Sequence, residues 1–97
     1  MKIVIADDHP LVRSGVKSTL SRSDEVQVVG EAQDGGETLK MVEQHKPDLL
    51  ILDVEMPGMP ADELILAARA IVPGLKVLVL TAHEDEASIR RLMKVKI

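Results

Sequence analysis

The chain has no cysteine, tryptophan, tyrosine or phenylalanine. Without thiols, neither a disulfide framework nor a thiolate metal site can form, which is consistent with a reducing compartment, and the cytoplasm is the expected location. Without aromatic rings there are no stacking platforms for bases, and a formal net charge of -4 offers no basic surface for phosphates. Direct nucleic-acid binding by this chain is therefore not expected. No stretch approaches the roughly 20 apolar residues of a membrane span. Met1-Lys2 runs into a short apolar segment that ends in two aspartates, unlike a secretory signal.

What is present is ordinary for a folded domain. Hydrophobic residues make up 45% and charged residues 29% of 97 positions, enough for one core and not two. Val, Leu, Ile, Met and Ala must fill that core.

Apolar β-branched runs alternate with helical patterns. Lys2 to Ala6 reads as a strand buried on both faces, stopping at Asp7-Asp8. Pro10 suits the start of a helix capped by Asp8 or His9, with Val12, Val16 and Leu20 inward and an end near Ser21 to Ser23. Val26 to Glu31 reads as a strand with an exposed edge. Asp34-Gly35-Gly36 turns into a helix over Glu37 to His45 with Leu39 and Val42 inward, closed by Pro47. Leu49 to Leu52 is a strand ending at Asp53. Pro60 opens a helix with Leu64, Ala68 and Ile71 inward, stopped by Pro73-Gly74. Leu75 to Leu80 is a fourth strand ending at Thr81, and Glu84-Asp85-Glu86 opens a fourth helix closing with Arg90, Arg91 and Lys94. Strict strand-helix alternation predicts an α/β doubly wound parallel sheet with helices on both faces.

In such a sheet, ligands bind outside the carboxyl ends of the strands. Asp7, Asp8, Asp53 and Thr81 all fall there. Three carboxylates at one rim repel and raise one another's pKa unless a cation neutralises them. Oxygen ligands without Cys or paired His favour Mg2+. Asp53 then serves as a nucleophile forming an aspartyl phosphate, with the Thr81 hydroxyl donating to the phosphoryl oxygens. A bare Asp-Asp pair is more commonly a solvated turn and helix cap, and the company of Asp53 and Thr81 reverses that reading. His9 and His83 read as surface or capping residues, and neither is assigned to the metal.

Ile3 to Gly15, Gly30-Glu31-Ala32 with Asp34-Gly35, Pro47 to Met59 and Leu80-Thr81-Ala82 resemble, in order and spacing, the motifs of the bacterial two-component response-regulator receiver domain. The Asp-Asp-His-Pro opening and Gly-Glu-Ala stretch are most similar to the subfamily joined to a LuxR-type helix-turn-helix. The resemblance implies a flavodoxin-like sheet and a histidine kinase as phosphodonor. It also implies Asp53 as the phosphorylated residue, Asp8 and Asp53 as direct Mg2+ ligands, and Asp7 as a ligand through water. Glu55 matches the position that contributes a backbone carbonyl to the metal, and Thr81 the switch hydroxyl. The side chains of Glu55 and His83 stand at sites that tune phosphate lifetime. A fifth strand bearing a lysine, and a fifth helix, are implied beyond Ile97. Residues 1–97 therefore read as a receiver domain incomplete at its C-terminus, with strand order 2-1-3-4.

The fourth strand then becomes an exposed apolar edge, and a homodimer or swapped oligomer is expected. Two other functions compete. The chain could be a receiver-like interaction module that is not phosphorylated, for want of the lysine. It could also be a Mg2+-dependent phosphatase of haloacid-dehalogenase type with Asp7 as nucleophile, although the Asp-x-Asp pattern of that class is absent.

Overall fold

The computed structural model describes residues 1–80; Thr81, His83 and the expected fourth helix lie outside the described residues. The described elements alternate as β1 (Lys2–Ala6), α1 (Pro10–Leu20), β2 (Gln27–Ala32), α2 (Gly35–His45), β3 (Leu49–Asp53), α3 (Ala61–Ile71) and β4 (Lys76–Leu80). The strands form one parallel sheet in the order β2-β1-β3-β4. This is the flavodoxin-like receiver topology over the described strands.

The period-2 alternation of the central strands divides the core in two. Val4, Ala6, Leu50, Leu52, Val77 and Val79 point to one face, where Val42 of α2 and Leu64, Ile65 and Ala68 of α3 cover them. Ile3, Ile5 and Ile51 point to the other, against Val16 and Leu20 of α1. Helices on both faces explain why β1 and β3 are apolar at nearly every position. Among the described residues, the second face is covered less fully. Val12 and Leu11 of α1 are 41% and 88% exposed, so the inward stripe expected for this helix holds at Val16 and Leu20 but not at Val12. Beside α1, Val16, Leu20, Ile51, Leu78 and Leu80 line an open apolar groove of about 480 Å3.

Local chemistry sets the helix ends. Asp34 Oδ1 accepts the Glu37 amide at 2.8 Å, and Thr38, fully buried, donates its hydroxyl to the Asp34 carbonyl at 2.7 Å. This cap starts α2 at Gly35, two residues before the sequence reading placed it. Lys46 closes the same helix in the left-handed region, φ 47°, immediately before Pro47. Pro60 caps α3 from outside its first turn rather than standing within it. Among the described residues, no helix is long and apolar enough to cross a membrane.

Candidate metal and phosphoacceptor site

Parallel pairing of β1 with β3 sets Ala6 opposite Leu52. The chain leaves β1 at Asp7 just where β3 ends in Asp53, so one rim collects Asp7, Asp8 and Asp53 from segments far apart in sequence. Asp7 and Asp53 are buried, 3% and 4% exposed, and Asp8 is partly buried. Ligand atoms of Asp7, Asp8, His9 and Asp53 all lie within 4.8 Å of one another.

Each carboxylate has a different set of partners. Asp7 Oδ1 accepts the His9 amide at 2.8 Å and faces His9 Nδ1 at 3.0 Å. Its backbone is fixed from both sides: its amide donates to the Ala32 carbonyl at 2.9 Å, and its own carbonyl accepts Arg13 Nη1. Asp53 Oδ1 accepts the Glu55 amide at 3.0 Å, whereas, among the described residues, Asp53 Oδ2 has no hydrogen-bond partner. Asp8 Oδ1 likewise accepts no hydrogen bond and lies 3.0 Å from His9 Nδ1 as an ion-pair contact.

An orphaned, buried carboxylate oxygen costs free energy unless a further partner completes it. Two such atoms at one rim fit a hard cation, which takes carboxylate oxygens readily. The electrostatics agree. Burial pushes the Asp53 carboxyl above its usual range, the Asp7 and Asp8 charges push it further, and the Glu55 amide and His9 pull the other way. The leading cause is loss of water rather than the mutual repulsion expected from sequence. His9 is held above the ordinary imidazole range, first by its hydrogen bond to Asp7 and then by the Asp8 charge.

The structure thus brings together three of the residues singled out in the sequence and ties Glu55 to them through its amide, its side chain being exposed. Thr81 lies outside the described residues. The structure also brings in His9, which in sequence reads as a surface or capping residue and not as a ligand. His9 is the N-cap residue of α1 but makes no side-chain capping bond, and its ring turns to the acids instead. The available signal was its place one residue beyond the Asp-Asp pair and just before Pro10.

The profile of the response regulator receiver domain family matches residues 3–97. The probable transcriptional regulatory protein NarL of Mycobacterium tuberculosis H37Rv is 39% identical over 94 residues, covering 97% of this chain and 44% of that protein. The chain thus spans less than half the length of this curated relative. Among solved structures, a two-component response regulator of the LuxR family from Aurantimonas sp. SI85-9A1 superposes with a TM-score of 0.79 at 29% identity, over 96% of this chain and 66% of that one. The isolated REC domain of RcsB from Salmonella enterica serovar Typhimurium, solved with the phosphomimetic BeF3-, gives 0.81 at 32% identity over 98% and 70%. With the sheet order, the rim of aspartates and these matches in agreement, the chain belongs to the response regulator receiver domain family, in its LuxR-type branch.

Proposed function

We propose that this chain is a phosphoacceptor in which Asp53 takes a phosphoryl group from a phosphohistidine of a histidine kinase, in the presence of Mg2+. The observation that carries the reading is Asp53 Oδ2, buried at the sheet rim beside two further carboxylates and accepting no hydrogen bond from the described residues. Asp53 Oδ1 accepts the Glu55 amide, which orients the carboxylate at the rim. In the transfer, a bond from an Asp53 carboxylate oxygen to phosphorus forms as the donor's N–P bond breaks. The electron pair returns to the imidazole nitrogen, which takes up a proton, and the product is an acyl phosphate.

Asp8 and Asp53 would hold Mg2+ directly, Asp7 through water, and Glu55 through its backbone carbonyl. The ion supplies charge neutralisation between the carboxylates and the incoming phosphoryl oxygens. Thr81 then donates its hydroxyl to the phosphoryl group and acts as the switch residue, so Thr81→Ala spares phosphorylation more than signalling. The reading places the chain in the cytoplasm with a kinase partner. It further includes self-association through β4, whose outer edge pairs with no strand among the described residues.

Incubation with acetyl phosphate or phosphoramidate and Mg2+, followed by intact mass, tests the proposal. It predicts one added phosphoryl group, lost in Asp53→Asn. A mass unchanged in folded wild-type protein would leave an interaction module in its place. Phosphate release from small substrates that depended on Asp7 and not on Asp53 would point to the phosphatase class.

A further inference from the structure

We infer that His9 Nδ1 is a ligand atom of this site, so that the cluster accepts a first-row transition dication through one nitrogen and its carboxylate oxygens. The inference rests on the reading that the aspartate rim takes a divalent cation. It adds a donor that an all-oxygen Mg2+ site does not have.

Three observations carry it. The first is distance. His9 Nδ1 lies 3.0 Å from Asp7 Oδ1, 3.0 Å from Asp8 Oδ1 and 3.8 Å from Asp53 Oδ2. Six-coordinate bonds of about 2.1 Å place neighbouring ligand atoms about 3.0 Å apart and opposite ones about 4.2 Å apart. The nitrogen therefore stands at neighbouring-ligand spacing from Asp7 and Asp8, and between the two spacings from Asp53.

The second is the orphaned oxygen. The Asp53 side chain is 3% exposed, and its Oδ2 accepts no hydrogen bond from the described residues while facing the His9 ring across 3.8 Å. A single cation between the two completes both groups.

The third is the backbone. His9 is extended, φ -102° and ψ 109°, as a residue before proline must be. Its amide is held by Asp7 Oδ1 at 2.8 Å. These constraints aim the ring at the acids although the side chain is 54% exposed. The ring makes no capping bond to α1, and a metal on Nδ1 would take the place of the proton that bridges it to Asp7 Oδ1 at 3.0 Å. Imidazole suits Ni2+, Zn2+, Fe2+ and Cu2+, whereas carboxylate and water alone suit Mg2+ and Mn2+.

Absolute preference for Ni2+ over Mg2+ is no test, because nearly any site shows it. The ratio of the two affinities is. Calorimetric titration with NiCl2 and with MgCl2 at one fixed pH compares wild type, His9→Ala and Asp53→Asn. The Ni2+ to Mg2+ affinity ratio should fall by at least about tenfold in His9→Ala, the least that losing even an outer-shell group of a metal site brings. A second measurement needs no variant. In 15N-labelled wild type, ZnCl2 should move the Nδ1 resonance of His9 to that of a metal-bound ring nitrogen, while MgCl2 should leave it unbound.

An unchanged ratio, an Nδ1 resonance indifferent to saturating Zn2+, or a Ni2+ affinity undiminished in both variants would overturn the inference. Wild type that binds Mg2+ yet shows any of these loses the His9 role and keeps the Mg2+ site. Wild type that takes up Ni2+ through His9 but no Mg2+ keeps the His9 role and loses the Mg2+ reading.

Discussion

Ala6 and Leu52 stand opposite each other in the parallel register of β1 and β3, and this one pairing delivers Asp7 and Asp53 to the same rim. Both carboxylates leave water there, and among the described residues the His9 ring is the ion-pair partner of the three acids of the rim. The site therefore weighs against the stability of the fold, and several consequences are measurable.

Asp53→Asn removes a buried charge at nearly constant shape. Because the folded Asp53 carboxyl is held above its ordinary range, the unfolded chain releases that proton at lower pH than the folded one. Stability must then fall as pH climbs from the ordinary carboxylate range through the raised folded value. In metal-free buffer at neutral pH the variant should melt at higher temperature than wild type, with the gap closing as the pH is lowered below the ordinary carboxylate range. Mg2+ should stabilise wild type by up to about 2.7 kcal/mol at a hundredfold excess over Kd, and Asp53→Asn by much less. Coincident melting curves across the pH series would show that Asp53 carries no such penalty.

Glu31 has the opposite sign. Lys17 Nζ sits 2.9 Å from one of its oxygens and Arg13 Nε 3.1 Å from the other. The Lys17 hydrogen bond, opposed by partial burial and helped by Arg13, holds the Glu31 carboxyl below its ordinary range. Its contribution is present above the unfolded pKa and is lost as pH falls through the lowered folded value. These side chains remain partly in water, so Glu31→Gln should cost only about 0.2–1 kcal/mol per pair at neutral pH. The difference should shrink in high salt and vanish in acid. Urea melts at two pH values and two ionic strengths check this.

Strand ends carry most of what could be read from the sequence. Asp7-Asp8 and Asp53 were legible because each follows an unbroken apolar run, and a parallel sheet aligns the ends of such runs without further information. His9 was not legible, since a ring's direction depends on the backbone angles before Pro10 and on the Asp7 hydrogen bond. The start of α2 was misjudged because Gly35 and Gly36 read as turn residues, whereas the Asp34 cap draws both into the helix. Val12 keeps helical spacing with Val16 and Leu20, but periodicity cannot say how far a sheet face extends beneath a helix.

Gly58 and Gly35 should tolerate a methyl group poorly. Gly58 has φ +104°, and a Cβ there would stand 3.3 Å from the Gly35 amide nitrogen. A Cβ on Gly35 would meet the Met59 backbone nitrogen at 3.2 Å, so the loop after β3 rests directly on the first turn of α2. Gly58→Ala should cost about 1–2 kcal/mol from backbone strain alone. Gly74→Ala is the control, because open space surrounds that position and its φ is not positive. It should be neutral or stabilising by about 0.4–1 kcal/mol. Similar losses at the two positions in thermal unfolding would refute the assignment of Gly58 as the strained residue.

Leu50 and Leu66 separate core from surface with one chemical change. Leu50 lies mid-strand in β3 with no exposed surface, between β1 and β4 and beneath the α2–α3 layer. Leu66 projects from α3 and is 72% exposed. Leu50→Ala should cost about 2–5 kcal/mol, since the rigid central strand cannot collapse into the cavity left behind. Domains of this size hold only about 5–15 kcal/mol in total, so the variant should unfold at distinctly lower denaturant concentration and lose its divalent-cation response at moderate temperature. Leu66→Ala should remain within about 0.5 kcal/mol of wild type. A Leu50→Ala loss no larger than that of Leu66→Ala would mean that β3 is not the centre of the core, and the rim that β3 positions would lose its support.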